Sequence, residues 1–241
     1  MTILPILISS FCTSLGALPI LFIKKVTHKG KDVMLAYTAG IMVAASAYGL
    51  IPSALKLSNI TSLIIGILIG TFVLTILESI IPHHDLDHSS GHSTNRSNVF
   101  LFLIAMSIHN LPEGLSVGIS HVSSENEVGP LVAFAIGLQN IPEGFLVGLF
   151  LITQGINRFK AILFSSITGL FEFFAGVFGM LFGDVFEQIV PYGLAFAAGS
   201  MLFVVYKELI PESHGDGNER AATITFILGF ITMIWLTDIF R

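Results

Sequence analysis

Five carboxylates fall well inside apolar stretches of this 241-residue sequence: Glu78, Glu113, Glu143, Glu172 and Glu208. A charge at the centre of a membrane helix costs about 2.5–3.5 kcal/mol on insertion scales, so such residues are rare and usually functional. Carboxylates near one another repel unless a cation or proton neutralises them. Two of the five belong to a repeated motif, His109-Asn110-Leu111-Pro112-Glu113-Gly114 and Gln139-Asn140-Ile141-Pro142-Glu143-Gly144, at an offset of 30 residues. A spacing of four stacks His109 and Glu113 on one helix face, and Gln139 and Glu143 on another. If those faces meet, an imidazole, an amide oxygen and two carboxylates converge. Asn110 and Asn140 lie about 100° around and flank the same seam. Mixed nitrogen and oxygen donors suit Zn²⁺, with Cd²⁺, Fe²⁺ and Mn²⁺ as chemical neighbours. A dedicated Mg²⁺ or Ca²⁺ site would be built from oxygen alone. Met42, in the middle of another apolar run, reads either as packing or as a soft thioether ligand. Polar glue between helices would account for one Asn or Gln. It does not account for a His, two Glu, a Gln and two Asn at one depth.

These residues must be positioned by membrane-spanning helices. The chain is 53% hydrophobic and 11% charged, with a mean hydropathy of +0.85. Soluble domains carry about 25% charged residues. Eight apolar runs, at about 1–23, 33–55, 60–82, 99–122, 129–153, 161–183, 191–213 and 221–240, are each long enough to cross the hydrocarbon core. They fill the chain, so the expected fold is a single all-α integral membrane domain spanning 1–241, with no soluble domain. The first run lacks the basic flank of a signal peptide. Cys12 is the only cysteine, which excludes an intrachain disulfide. The net charge of −5 does not mark a nucleic-acid binder. With the N-terminus outside, the inner loops hold Lys24, Lys25, Lys29, Lys31, Arg96, Arg158, Lys160 and Arg220, against Lys56 and Arg241 outside. That asymmetry predicts both termini extracellular or periplasmic in a cell membrane. Residues 24–32 read as a basic inner loop, and 83–98 as a flexible inner loop with His83, His84, His88 and His92.

The repeats also constrain the architecture. Runs four and five are joined by a short loop, so they run antiparallel, and each motif starts near mid-membrane. A second repeat pairs Leu35–Met42 with Leu194–Met201, and Leu50-Ile51-Pro52 with Leu209-Ile210-Pro211, at an offset of 159. Helices 1–3 are thereby related to 6–8, and helix 4 to 5, in inverted orientation. Inverted repeats with interrupted midplane helices are a transporter signature. Pro112 cannot donate to the Ile108 carbonyl, nor Pro142 to that of Leu138, which frees acceptors and opens space. Gly114 and Gly144 permit close helix approach.

The paired motifs resemble the ZIP family of divalent metal transporters, especially its bacterial GufA-like branch. The stretches Ser166–Glu172 and Ala198–Met201, and the run Glu208-Leu209-Ile210-Pro211-Glu212, are similar to that branch as well. The resemblance covers nearly the whole chain and implies two adjacent metal sites. One would use Met42, His109, Glu113, Gln139 and Glu143. The other would use Asn110, Glu113, Asn140, Glu143 and Glu172, the two motif glutamates bridging both ions. It further implies Glu78 near the entrance, and Glu208, Glu212 and the loop histidines on the inner exit path. Relatives often carry Asp where Asn140 stands, so the second site has one charge fewer here. Lys207 stands where relatives can carry a metal-binding His. The resemblance implies uptake toward the cytoplasm by alternating access, with helices 1, 4, 5 and 6 moving as a carrier against a frame of 2, 3, 7 and 8. It also implies a homodimer. The substrate is the divalent ion itself, zinc foremost, and no organic cofactor is expected. The loop histidines either hand metal onward or are merely solvated.

Two other functions compete. An intramembrane metalloprotease would show H-E-x-x-H and an open water position on its metal. The H-x-x-x-E spacing of His109 and Glu113, interrupted by proline, is its reverse. A metal-selective channel would share the site and differ only in kinetics.

Overall fold

The computed structural model describes residues 3–22, 27–80, 96–121, 128–183, 187–215 and 217–239, and for a few of these, Glu78 among them, the backbone only. His83, His84, His88 and His92 lie outside the described residues. The described residues are helical apart from a few turn, bend and loop positions, with no strand among them. The helical stretches in chain order are α1 (Leu4–Leu21), α2 (His28–Leu57), α3 (Ile60–Ile80), α4 (Arg96–Ser120), α5 (Val128–Thr153), α6 (Arg158–Gly183), α7 (Val190–Ser213) and α8 (Glu219–Ile239). Six of them are long and apolar enough to cross a membrane: α1, α2, α5 from Gly129, α6, α7 and α8. Helices dominate because a lipid-facing backbone must satisfy its polar groups internally.

The polarity of the bundle is inverted relative to a soluble protein. Phe22, Phe159, Phe174 and Trp235 point outward, while on the same helix as Phe174 the Glu172 side chain is 0% exposed. Helix α2 begins five residues ahead of its apolar run. The Thr27 hydroxyl caps it by accepting from the Gly30 amide at 3.1 Å. The stretch expected as loop up to residue 32 is therefore partly helical, and Asp32 is buried there, accepting from the Asn218 amide at 2.9 Å.

Two helices contain a widened π turn just before a proline: Ser46–Leu50 before Pro52 in α2, and Val205–Leu209 before Pro211 in α7. In each, the amide of the following residue reaches five positions back, Ile51 to Ser46 and Ile210 to Val205. A proline ring clashes with the carbonyl four residues earlier, and widening the turn relieves that clash without breaking the helix. Pro112 and Pro142 likewise lie inside α4 and α5, which continue through them.

Neighbouring helices fall into two tightly packed sets. In one, α1 packs on α5, α4 on α6 and α1 on α6; in the other, α2 packs on α8 and α3 on α7. Glycine governs these contacts. A Cβ at Gly114 would sit 2.0 Å from the carbonyl oxygen of Glu172, and one at Gly144 would sit 1.9 Å from that of Thr13. In the second set, Gly40 meets the Phe226 carbonyl at 2.0 Å and Gly199 meets that of Ile67 at 2.4 Å, by the same measure.

Gly114→Ala should therefore force α4 off α6. The expected cost is that of core overpacking, about 1–3 kcal/mol or more. Gly215→Ala, whose Cβ would find its nearest neighbour at 3.6 Å, should be neutral. Thermal unfolding in detergent, followed by size-exclusion chromatography, checks this; equal midpoints for the two variants would refute the packing argument.

Candidate metal centre

Helices α4 and α5 deliver the two motifs to one depth. The i,i+4 spacing puts His109 and Glu113 on the same side of α4, and His109 Nε2 lies 3.5 Å from Glu113 Oε1. From α5, Glu143 Oε2 comes within 3.9 Å of the same nitrogen. Ligand atoms of His109, Glu113 and Glu143 all lie within 4.8 Å of one another, and this is the one such group of three among the described residues. Gln139 Nε2 donates to Glu113 Oε1 across the helix interface. All four side chains are buried. The faces expected to meet do meet.

Many polar atoms at this centre have no hydrogen-bond partner in the protein. They include His109 Nδ1, Glu113 Oε2, Gln139 Oε1, both Glu143 oxygens and both side-chain polar atoms of Asn110. Leaving a buried polar atom unpaired costs about 1–3 kcal/mol, more when it is charged. Such a concentration of orphaned acceptors in an apolar bundle fits a cation. One imidazole and two carboxylates are ligand types that Zn²⁺ takes, and the Gln139 amide reaches them through its nitrogen.

The remaining sequence-derived residues distribute around this cluster. Asn140 and Glu172 meet each other, with Asn140 Nδ2 donating to Glu172 Oε2 at 2.8 Å. Glu172 is close enough to act electrostatically on both Glu113 and Glu143. Met42 is buried in α2 within the apolar core. Glu208 lies in the π turn of α7. Glu212 pairs with Lys31 from the start of α2. The side chain of Glu78 lies outside the described residues.

Ser9 of α1 was not legible as part of this centre. Its hydroxyl donates to Glu172 Oε1 at 2.5 Å, and the whole side chain is buried. The available signal was a run of small polar residues, Ser9, Ser10 and Thr13, at helical spacing inside an apolar segment.

Six helices long and apolar enough to cross a membrane, with a buried cluster able to hold a cation, are the features of a multi-pass membrane protein. Residues 82–237 match the sequence profile of the family described as ZIP Zinc transporter. The chain is 36% identical over 241 residues to Zinc transporter GufA of Myxococcus xanthus, with 95% of each chain covered. It is 33% identical over 242 residues to Zinc transporter ZIPB of Bordetella bronchiseptica, covering 93% of this chain and 76% of the relative. Zinc transporter ZupT of Streptococcus mutans is 29% identical over 246 residues, at 94% and 92% coverage. The chain belongs to the ZIP family, in its GufA-like branch. Membership makes it a transporter of divalent metal and not an enzyme.

A ligand that binds only the folded protein stabilises it by mass action. Zn²⁺ at 100 times its Kd should add about 2.7 kcal/mol, visible as a raised thermal midpoint that a chelator reverses. The double variant His109→Ala with Glu143→Gln should fold yet lose that shift. An undiminished shift in the variant would place the metal elsewhere.

Proposed function

We propose that this chain carries Zn²⁺, with Cd²⁺, Fe²⁺ and Mn²⁺ as weaker competitors, across the membrane toward the cytoplasm by alternating access. The observation that carries this reading is the convergence of His109, Glu113, Gln139 and Glu143 from α4 and α5 in the middle of the bundle. Met42 is the proposed fifth, conditional ligand, near the metal in one state and withdrawn in the other. Glu78, Glu208, Glu212 and the histidines of 83–98 flank the proposed path. The names of the relatives, all zinc transporters, support zinc as the principal ion.

The proposed fold has eight spans with both termini outside. Contacts tie together the ends assigned to one face, and the Lys and Arg excess in those loops assigns that face to the inside. Arg158 at the start of α6 donates to the Leu21 carbonyl at the end of α1 at 2.8 Å. Lys31 at the start of α2 pairs with Glu212 at the end of α7, and Asn218 before α8 bonds Asp32.

Inverted repeats are supported by recurring geometry. The π turns at Ser46–Leu50 and Val205–Leu209 stand at the offset of 159 noted in the sequence. The contact of Gly40 with Phe226 recurs as Gly199 with Ile67, and that of Gly144 with Thr13 recurs as Gly114 with Glu172, at the same offsets. The two tightly packed sets, α1 with α4, α5 and α6, and α2 with α3, α7 and α8, correspond to the proposed carrier and frame. Rigid movement of one set against the other would expose the metal to one side at a time.

In proteoliposomes, Glu113→Ala or Glu143→Ala should reduce zinc uptake to background while the protein still inserts. Wild-type uptake in either variant would overturn the site. The mechanism is read by a cross-link. A Cβ at Gly49 of α2 would sit 3.4 Å from the Ala135 Cβ of α5, close to disulfide range. Gly49→Cys with Ala135→Cys, in a Cys12→Ser background, joins frame to carrier. Oxidation should stop uptake and reduction restore it. Undiminished flux through the oxidised protein would instead establish a fixed-pore channel.

A further inference from the structure

We infer that this chain carries one divalent ion per cycle, and that Ser9, Asn140 and Glu172 form a hydrogen-bonded lock where the family resemblance implies a second ion. The inference rests on the transport site proposed above and specifies its stoichiometry.

The argument begins with which end of the Asn140 amide faces Glu172. Its Nδ2 lies 2.8 Å from Glu172 Oε2 and 3.0 Å from the backbone carbonyl of Ser9, with Ser9 Oγ at 3.4 Å. Amide orientation is assigned from such partners, and here the chemistry leaves one choice. A main-chain carbonyl only accepts, and so does a carboxylate, so the group between them must be the donor. The amide is planar, which directs Oδ1 away from the Glu172 carboxylate, and Oδ1 has no partner in the protein. An amide N–H does not ligate a cation. Turning the amide to offer oxygen would set that oxygen against the Ser9 carbonyl and the carboxylate.

The other oxygen of Glu172 is occupied as well. Ser9 Oγ donates to Oε1 at 2.5 Å, within the short range typical of a hydroxyl on a charged acceptor. Both carboxylate oxygens are thus satisfied by neutral donors from α1 and α5, and none of the three residues is more than 1% exposed. Charge balance points the same way. Glu113 and Glu143 neutralise one divalent ion. A second ion would face only Glu172, where an aspartate at position 140 would have supplied the missing charge. Without an ion, the triad has a mechanical role: it pins α1, α5 and α6 to one another, three of the four helices proposed to move together.

The test is an ion count on the full chain in nanodiscs, stripped with chelator and equilibrated with Cd²⁺, by elemental mass spectrometry and isothermal titration. The expected result is one ion per chain for the wild type, lost in Glu143→Gln and retained in Glu172→Gln. Asn140→Asp should raise the count to two. Two ions in the wild type, with one lost in Glu172→Gln, would overturn the inference while leaving the transport site intact. A count that stays at one in folded Asn140→Asp would also overturn it, because the amide would not be what excludes the second ion. No bound ion, or one that survives Glu143→Gln, would refute the underlying site and the inference with it. The wild-type count decides the matter even if Asn140→Asp fails to fold.

Discussion

Three carboxylates, Glu113, Glu143 and Glu172, lie close together at the centre of a bundle whose outer surface is apolar, none more than 3% exposed. In a medium of low dielectric neither their charge nor their mutual repulsion is screened. Each must therefore be matched by an ion, a proton or a dense set of donors. The rest of the centre follows from that requirement. His109 and Gln139 bring a nitrogen and an amide to the first two carboxylates, and Ser9 and Asn140 bring two donors to the third. The first pair keeps several polar atoms unpaired and so retains the capacity to bind a cation. The third is closed by its neighbours.

Bringing such groups together requires backbones that nearly touch. Glycines at 114 and 144 allow α4 to lie on the Glu172 carbonyl and α5 on that of Thr13. Any Cβ there would separate the helices and pull the side-chain donors out of reach of their acceptors. The same close approach that packs the bundle thus sets the geometry of the centre. Hydrophobic side chains contribute little to this association, because lipid tails are as apolar as leucine. Small residues and interhelical hydrogen bonds take over the role that apolar burial has in water.

The prolines have a complementary effect. Pro52 and Pro211 each follow a π turn that widens the helix and lets it continue. In α7 that turn holds Glu208. Local irregularity of this kind is tolerated at membrane depth only where it is buried in protein or lines a polar path. Both turns lie on helices of the set that packs around α8 and α3, while His109, Glu113, Gln139 and Glu143 lie on the other set.

Sequence alone determined the helical membrane class, because polar residues were too few to cover a water-facing surface. It also determined which four side chains could share the centre. The four-residue spacing in both motifs forces His109 with Glu113, and Gln139 with Glu143, onto common faces whatever the tertiary structure, and a repeat of so polar a motif in an apolar chain has no packing explanation. Gly114 and Gly144 were legible as points of close approach, but not their partners on α6 and α1. The role of Ser9 was not legible. A serine in an apolar helix usually returns its hydroxyl to its own backbone, as Ser10 does to Ile6 at 2.8 Å, and only the docking of α1 against α6 brings Glu172 within reach of Ser9. The orientation of Asn140 was likewise hidden. Its residue type permits either end of the amide to face Glu172, and the choice is made by the Ser9 carbonyl, 131 residues away in the chain. Periodicity fixes which side chains share a face. Which hydrogen-bond partner each one finds depends on the neighbouring helix, and that is set by tertiary packing.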